Sequence, residues 1–109
     1  MKRHAEIVEE MNRVVKRLVS QYGAEKVILF GSRATGGAGV DSDTDLVVIK
    51  RTASSFFDRL AEVARICRWE HPFEVLVYTP EEFSRMEKES SFIREEVVAK
   101  GKVLYERVA

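Results

Sequence analysis

Three aspartates alternate with small hydroxyl residues in Asp41-Ser42-Asp43-Thr44-Asp45, directly ahead of the apolar run 46–49. In an extended chain, side chains two apart point to the same side. Two or three of these carboxylates therefore share one face. Asp43 and Asp45 lie nearest the apolar run, and Asp41 reads as a solvated turn residue. Left alone, such carboxylates repel one another and weaken the fold. A divalent cation removes that cost. Hard oxygen ligands suit Mg²⁺, which takes one or two carboxylates and fills its shell with water and phosphate oxygens.

Upstream, the segment 31–39 holds four glycines in nine residues and follows a second apolar run. Its first step, Gly31-Ser32, offers backbone N–H groups and a hydroxyl to an anion. A helical turn starting at Ser32 would add its positive end. Arg33 is placed either to reach a phosphate or to make a surface ion pair. A third carboxylate, Glu74, stands second in the apolar stretch 73–78. It is costly to bury unless paired or metal-bound. Its position, near one end of a strand expected to be central, is of the same type as that of Asp43 and Asp45. On an edge strand it would simply reach water. Three such carboxylates suit a two-metal centre, with ions about 3.5–4 Å apart activating an incoming hydroxyl and steadying a leaving pyrophosphate. Other chemically capable residues read more plainly. Cys67 sits on an apolar helix face as inert core, His71 before Pro72 is a loop residue, and Trp69 caps the core rather than a nucleotide base.

These residues need elements to position them. Apolar side chains at Ile7, Val8, Met11, Val14, Val15, Leu18, Val19 and Tyr22 recur every three to four residues, predicting an amphipathic helix over 5–22 that Gly23 ends. Strands are predicted at 26–30, 45–49 and 73–78. Ser55 caps a second helix whose apolar side is Phe56, Phe57, Leu60, Val63, Ala64, Ile66 and Cys67. Thr79-Pro80-Glu81-Glu82 is a capping box for a short helix. A last helix starts at Ser90 or Ser91 and ends at Gly101, and 102–106 forms a short edge strand. Only 14 residues separate the first two strands, too few for a full crossover helix. Those strands are therefore antiparallel and the sheet mixed. The fold class is α/β, a small mixed sheet of three to four strands with flanking helices, in a single domain over 1–109.

Composition removes several function classes. Lys and Arg total 18, as do Asp and Glu, so the net charge is zero, which disfavours holding duplex nucleic acid by bulk phosphate neutralisation. No apolar run approaches the ~20 residues of a membrane span. One cysteine excludes an intrachain disulfide and a multi-cysteine zinc site, and a reducing cytoplasmic setting is expected.

Gly31-Ser32, ten residues, then Asp43-Thr44-Asp45, flanked by strands and followed by Glu74, resembles the polymerase-β-like nucleotidyltransferase superfamily, and within it the minimal nucleotidyltransferase branch. The likeness covers essentially the whole chain. It implies a palm-like fold, ATP as substrate, and Mg²⁺ (two ions) on Asp43, Asp45 and Glu74, with Gly31, Ser32 and Arg33 binding the nucleotide. Glu74 falls where the family usually has aspartate. The branch commonly pairs with a HEPN-domain toxin as its antitoxin and transfers AMP to a tyrosine of that toxin. The resemblance thus implies a protein adenylyltransferase. The alternative is a catalytically weak binding module that neutralises or scaffolds a partner. At 109 residues the palm uses nearly all of the chain, so the acceptor is expected on another chain. Leu76 and Tyr78 share the face of Glu74, and Val47 and Ile49 that of Asp45. An uncovered apolar patch beside the carboxylates is expected, docking a partner or giving a homo-oligomer.

Overall fold

The computed structural model describes residues 4–37, 43–70 and 72–108. Asp41 and His71 lie outside the described residues.

Helix α1 (His4–Arg17) buries Ile7 and Val14 and passes into a π-wound segment, Leu18–Tyr22. The periodicity predicts one uniform helix to Tyr22. Instead the last turn widens, and the Leu18 carbonyl accepts from Gly23 and, at 2.9 Å, from Ala24. This brings both Leu18 and Tyr22 into the core. Gly23 supplies the left-handed φ of 83° that ends the segment. Strand β1 (Lys26–Phe30) leads into a single turn, α2 (Ser32–Thr35). Strand β2 (Thr44–Ile49) follows, then α3 (Phe56–Cys67), β3 (Phe73–Tyr78) and α4 (Pro80–Glu89). A π-wound helix, Ile93–Ala99, and β4 (Lys102–Glu106) complete the order.

The start signals act as the sequence indicates. Ser55 Oγ accepts from the Asp58 amide at 3.2 Å. Thr79 and Glu82 exchange the two bonds of a capping box, at 3.1 and 2.8 Å. The apolar side of α3 is narrower than its sequence suggests. Phe57 is 80% exposed, whereas Val63, Cys67 and Arg59 face inward. Arg59 is tolerated there because its guanidinium donates to Ser54 O (2.9 Å), Val77 O (3.1 Å) and the Glu82 carboxylate (2.7 and 3.3 Å).

The sheet runs β3-β2-β1-β4. Strands β1 and β2 are antiparallel, as are β1 and β4, while β2 and β3 are parallel. Alternation along each strand sends Val27, Leu29, Leu46, Val48, Val75 and Val77 to one face, against Val14, Leu18, Val63 and Cys67 of α1, its π-wound end and α3. Ile28, Phe30, Val47 and Ile49 go to the other face, against Phe83, Ile93 and Val97. Both faces are thus covered. The expected apolar patch fails at its centre, because α4 and the π-wound helix bury Val47 and Ile49 and leave Leu76 and Tyr78 half-buried. The 102–106 segment is an edge strand as expected, and β3 forms the other edge. Among the described residues no helix is long and apolar enough to cross a membrane.

Candidate active site

Register assembles the site. Phe30, the last residue of β1, pairs with Asp45, and Asp45 pairs with Glu74 across the parallel β2–β3 ladder. The end of β1 and the starts of β2 and β3 therefore meet at one end of the sheet. The Gly31–Ser32 step lies on one flank of Asp45 and Glu74 on the other.

Gly31 has φ 74° and ψ −157°, a region essentially restricted to glycine. A Cβ there would also collide with a carboxylate oxygen of Asp45. Gly31 is needed twice, for its backbone conformation and for the space the Asp45 carboxylate fills. The hydrogen bonds of the α2 turn begin at the Ala34 amide, which donates to Gly31 O at 3.0 Å, so the Ser32 N–H lies ahead of them. The turn starts at Ser32 as the sequence predicts but has only four residues. Its dipole is therefore negligible, and attraction for an anion must come from the backbone amide, the Ser32 hydroxyl and Arg33.

Asp45 is half-buried and its carboxyl is raised above its usual 3.8. Burial is the main cause, followed by the negative charges of Glu74 and Asp43, with a hydrogen bond to Glu74 adding to the shift and Arg33 opposing it. Asp45 and Glu74 are thus neighbours across the ladder, and Asp45 takes up a proton more readily than a free carboxyl. The charge of Arg33 lowers the Asp45 pKa, so the two side chains lie within electrostatic reach of each other. Asp43 is exposed and acts on Asp45 through its charge.

Glu74 departs from expectation in one respect. It is exposed on an edge strand, not set into a central one, so no burial cost forces it to find a partner. Its nearness to Asp45 comes from register alone. The close approach of Gly31 to Asp45 was not legible in the sequence, beyond the hint of a glycine ending a strand. Cys67 is buried core, with its thiol pushed up to about 11 by burial. Trp69 packs on the α1/α3 core and stacks on Phe73 at 5.3 Å.

Among the described residues, no three ligand-type side chains converge as a ready cation cage. The donor set nonetheless fits Mg²⁺, which is held by one or two carboxylates and completed by phosphate and water. Asp45 and Glu74 form such a pair, with Asp43 beside them.

A small mixed sheet with an acidic pair at one end, flanked by a strand-ending Gly-Ser step, defines a nucleotidyl-transfer palm. The family model described as polymerase beta, nucleotidyltransferase, matches residues 12–108, and the chain belongs to that family. Similar solved structures agree on the fold. A Sulfolobus solfataricus protein, described provisionally as a nucleotidyltransferase, superposes with a TM-score of 0.69 at 22% identity, covering 94% of this chain and 83% of its own. A toxin–antitoxin crystallised with AMP-PNP gives 0.59 at 19% identity, covering 88% and 73%. A point mutant of the toxin–antitoxin MntA-HpeT gives 0.58 at 20% identity, covering 89% and 72%. No curated protein matches the chain.

Proposed function

We propose that this chain transfers AMP from Mg²⁺-bound ATP to a tyrosine hydroxyl of a HEPN-type toxin partner and so acts as its antitoxin. The observation that carries the reading is the pairing of Asp45 with Glu74 across the β2–β3 ladder, with the Asp45 carboxylate packed against Gly31. Family membership supports nucleotidyl transfer, and the toxin–antitoxin neighbours, one with a nucleotide analogue, support the partner class and the nucleotide.

In this reading Ser32 and the Gly31–Ser32 backbone hold the triphosphate tail, and Arg33 adds a cation beside it. Asp43, Asp45 and Glu74 would hold Mg²⁺, which when bound neutralises the carboxylates and the phosphate charge. Glu74 lies on the side remote from the triphosphate cradle. There it takes the proton of the incoming hydroxyl as its oxygen bonds to the α-phosphorus. The bond to the bridging oxygen breaks, and pyrophosphate leaves toward Gly31 and Ser32. Labelling with α-³²P-ATP tests this: label should move to the partner in wild type and not in Asp45→Asn.

A second reading, a binding module of little activity, is favoured by the exposure of Glu74 on an edge strand. It requires the partner to be neutralised equally well by Asp45→Asn.

A further inference from the structure

Where the end of α1 meets the end of α3 lies an open pocket of about 310 Å³ lined by Arg17, Gln21, Arg65, Ile66 and Arg68. Arg17 ends α1, and Gln21 belongs to the π-wound segment that follows. Arg65 stands in the last turn of α3, and Arg68 closes that helix. Three guanidinium groups thus border one cavity, and no carboxylate lines it. The pocket is separate from the acidic pair. Helices α1 and α3 cover the face of Leu46 and Val48, whereas Asp45 lies on the face of Val47 and Ile49.

Elsewhere cations find carboxylates. Arg51 meets Glu25 and Glu81, Arg59 meets Glu82, Lys26 meets Glu106 and Lys100 meets Glu96. Among the described residues no carboxylate pairs with Arg17, Arg65 or Arg68. The chain holds as many acidic as basic residues, so this imbalance is local. Like charges three apart on a helix, as at 65 and 68, repel, and Arg17 adds a third across the gap. The C-terminal end of α3 favours a cation. Arg17 already supplies it by donating to Cys67 O at 2.6 Å. Arg65 and Arg68 exceed that need.

Two details of geometry point the same way. The Arg17 bond ties α1 to α3 across 50 residues of sequence, so its planar fork is held in place with N–H groups to spare. Arg68 has φ 50° and ψ 48°, and among the described residues it is the one non-glycine at positive φ. Glycine adopts that conformation without steric cost. The residue type at 68 is therefore set by its side chain and not by its backbone.

We propose that this pocket binds a compact oligophosphate group of a small molecule, with Arg17, Arg65 and Arg68 as its ligands. The site stands apart from the transfer reading above and does not depend on it. A phosphate group carries about 1.5–2 negative charges at neutral pH, so two linked phosphates match three guanidiniums where a lone carboxylate does not. Guanidinium forks also fit phosphate oxygens in pairs, and the Gln21 amide adds a further donor. A polynucleotide is held by cations strung along its backbone. Here the charges converge on one cavity instead.

The test is an NMR titration of the full chain with inorganic pyrophosphate in EDTA, followed at the arginine Nε–H signals. The amides of Gly31 and Ser32 report separately on the acidic end. Pyrophosphate is expected to shift the signals of Arg17, Arg65 and Arg68. Arg65→Gln should weaken that binding at least ~10-fold, the scale of one charge-assisted hydrogen bond. Arg68→Gly should weaken it as much and leave the chain no less stable in urea, since glycine suits the left-handed position, which separates loss of the pocket from loss of fold. Citrate should bind more weakly than pyrophosphate. Shifts confined to Gly31 and Ser32, binding that both variants leave unchanged, or citrate binding as tightly as pyrophosphate overturns the proposal. So does a single-stranded RNA that binds the same arginines more tightly than pyrophosphate, because the pocket would then belong to a nucleic-acid surface.

Discussion

The two ends of the sheet handle carboxylates in opposite ways. At one end Glu82 meets Arg59, whose side chain is 7% exposed, at 2.7 Å, and accepts from the Thr79 amide as well. Its pKa falls below the usual 4.5, chiefly through the hydrogen bond from Arg59 and then the one from Thr79. At the other end Asp45 is pushed above the usual 3.8 by burial and by Glu74 and Asp43. One carboxylate is satisfied by its surroundings and ties α3 to α4. The other is crowded by its own kind, and its charge is disfavoured. Stability and reactivity are thus separated along one sheet by register, because β2 and β3 begin at the acidic end and finish near the Arg59–Glu82 end.

That contrast can be broken by substitution. The largest effect is expected from Asp45→Asn, which should reduce transfer at least ~10³-fold, the scale of several kcal/mol lost from charge stabilisation. The same change should leave the unliganded chain no less stable in urea, because it removes a repulsion. Glu74→Gln comes next. Transfer should fall about 10²-fold, the usual scale for losing a general base, while Glu74→Asp retains much of the rate. Glu82→Gln should behave in reverse. It leaves Arg59 buried without its carboxylate and should cost about 2 kcal/mol in urea unfolding, less than the usual figure for a fully buried pair because the Glu82 side chain is 32% exposed. Transfer per folded molecule should be unchanged.

The smallest effect is in the pH dependence of stability, where the two carboxylates have opposite signs. Asp45 has a raised pKa, so the folded chain binds its proton more readily than the unfolded chain. Its contribution grows as pH falls from neutral through the raised value toward 3.8. Glu82 has a lowered pKa, so its stabilisation is full above 4.5 and is lost as pH falls through its folded value. Urea midpoints across this range should show Asp45→Asn without the gain on mild acidification, and Glu82→Gln with a shallower loss in stronger acid.

Much of this was legible in the residues. The strands, the capping box at Thr79 and the cap at Ser55 follow from local chemistry, which a sequence states directly. The antiparallel β1–β2 pair follows from the short link between them. What escaped was long-range. Glu74 was read as belonging to a central strand, but sheet order is set by which helices cover which face, and this put β3 at the edge. The inward turn of Arg59 has no local signal. Its burial depends on Val77 and Glu82, which are 18 and 23 residues away. The expected patch at Val47 and Ile49 was closed by α4 and the π-wound helix, whose packing direction no local pattern encodes. The arginine pocket escaped because its walls come from α1, its π-wound end and α3 together.

The central claim is that Asp45 and Glu74 hold a divalent cation together with the phosphates bound at Gly31 and Ser32. Calorimetric titration of the chain with ATP, once with Mg²⁺ and once with EDTA, tests it most directly. Binding should be at least ~10-fold tighter with Mg²⁺, because the cation converts repulsion between carboxylates and phosphates into attraction. Equal affinity under both conditions would contradict it.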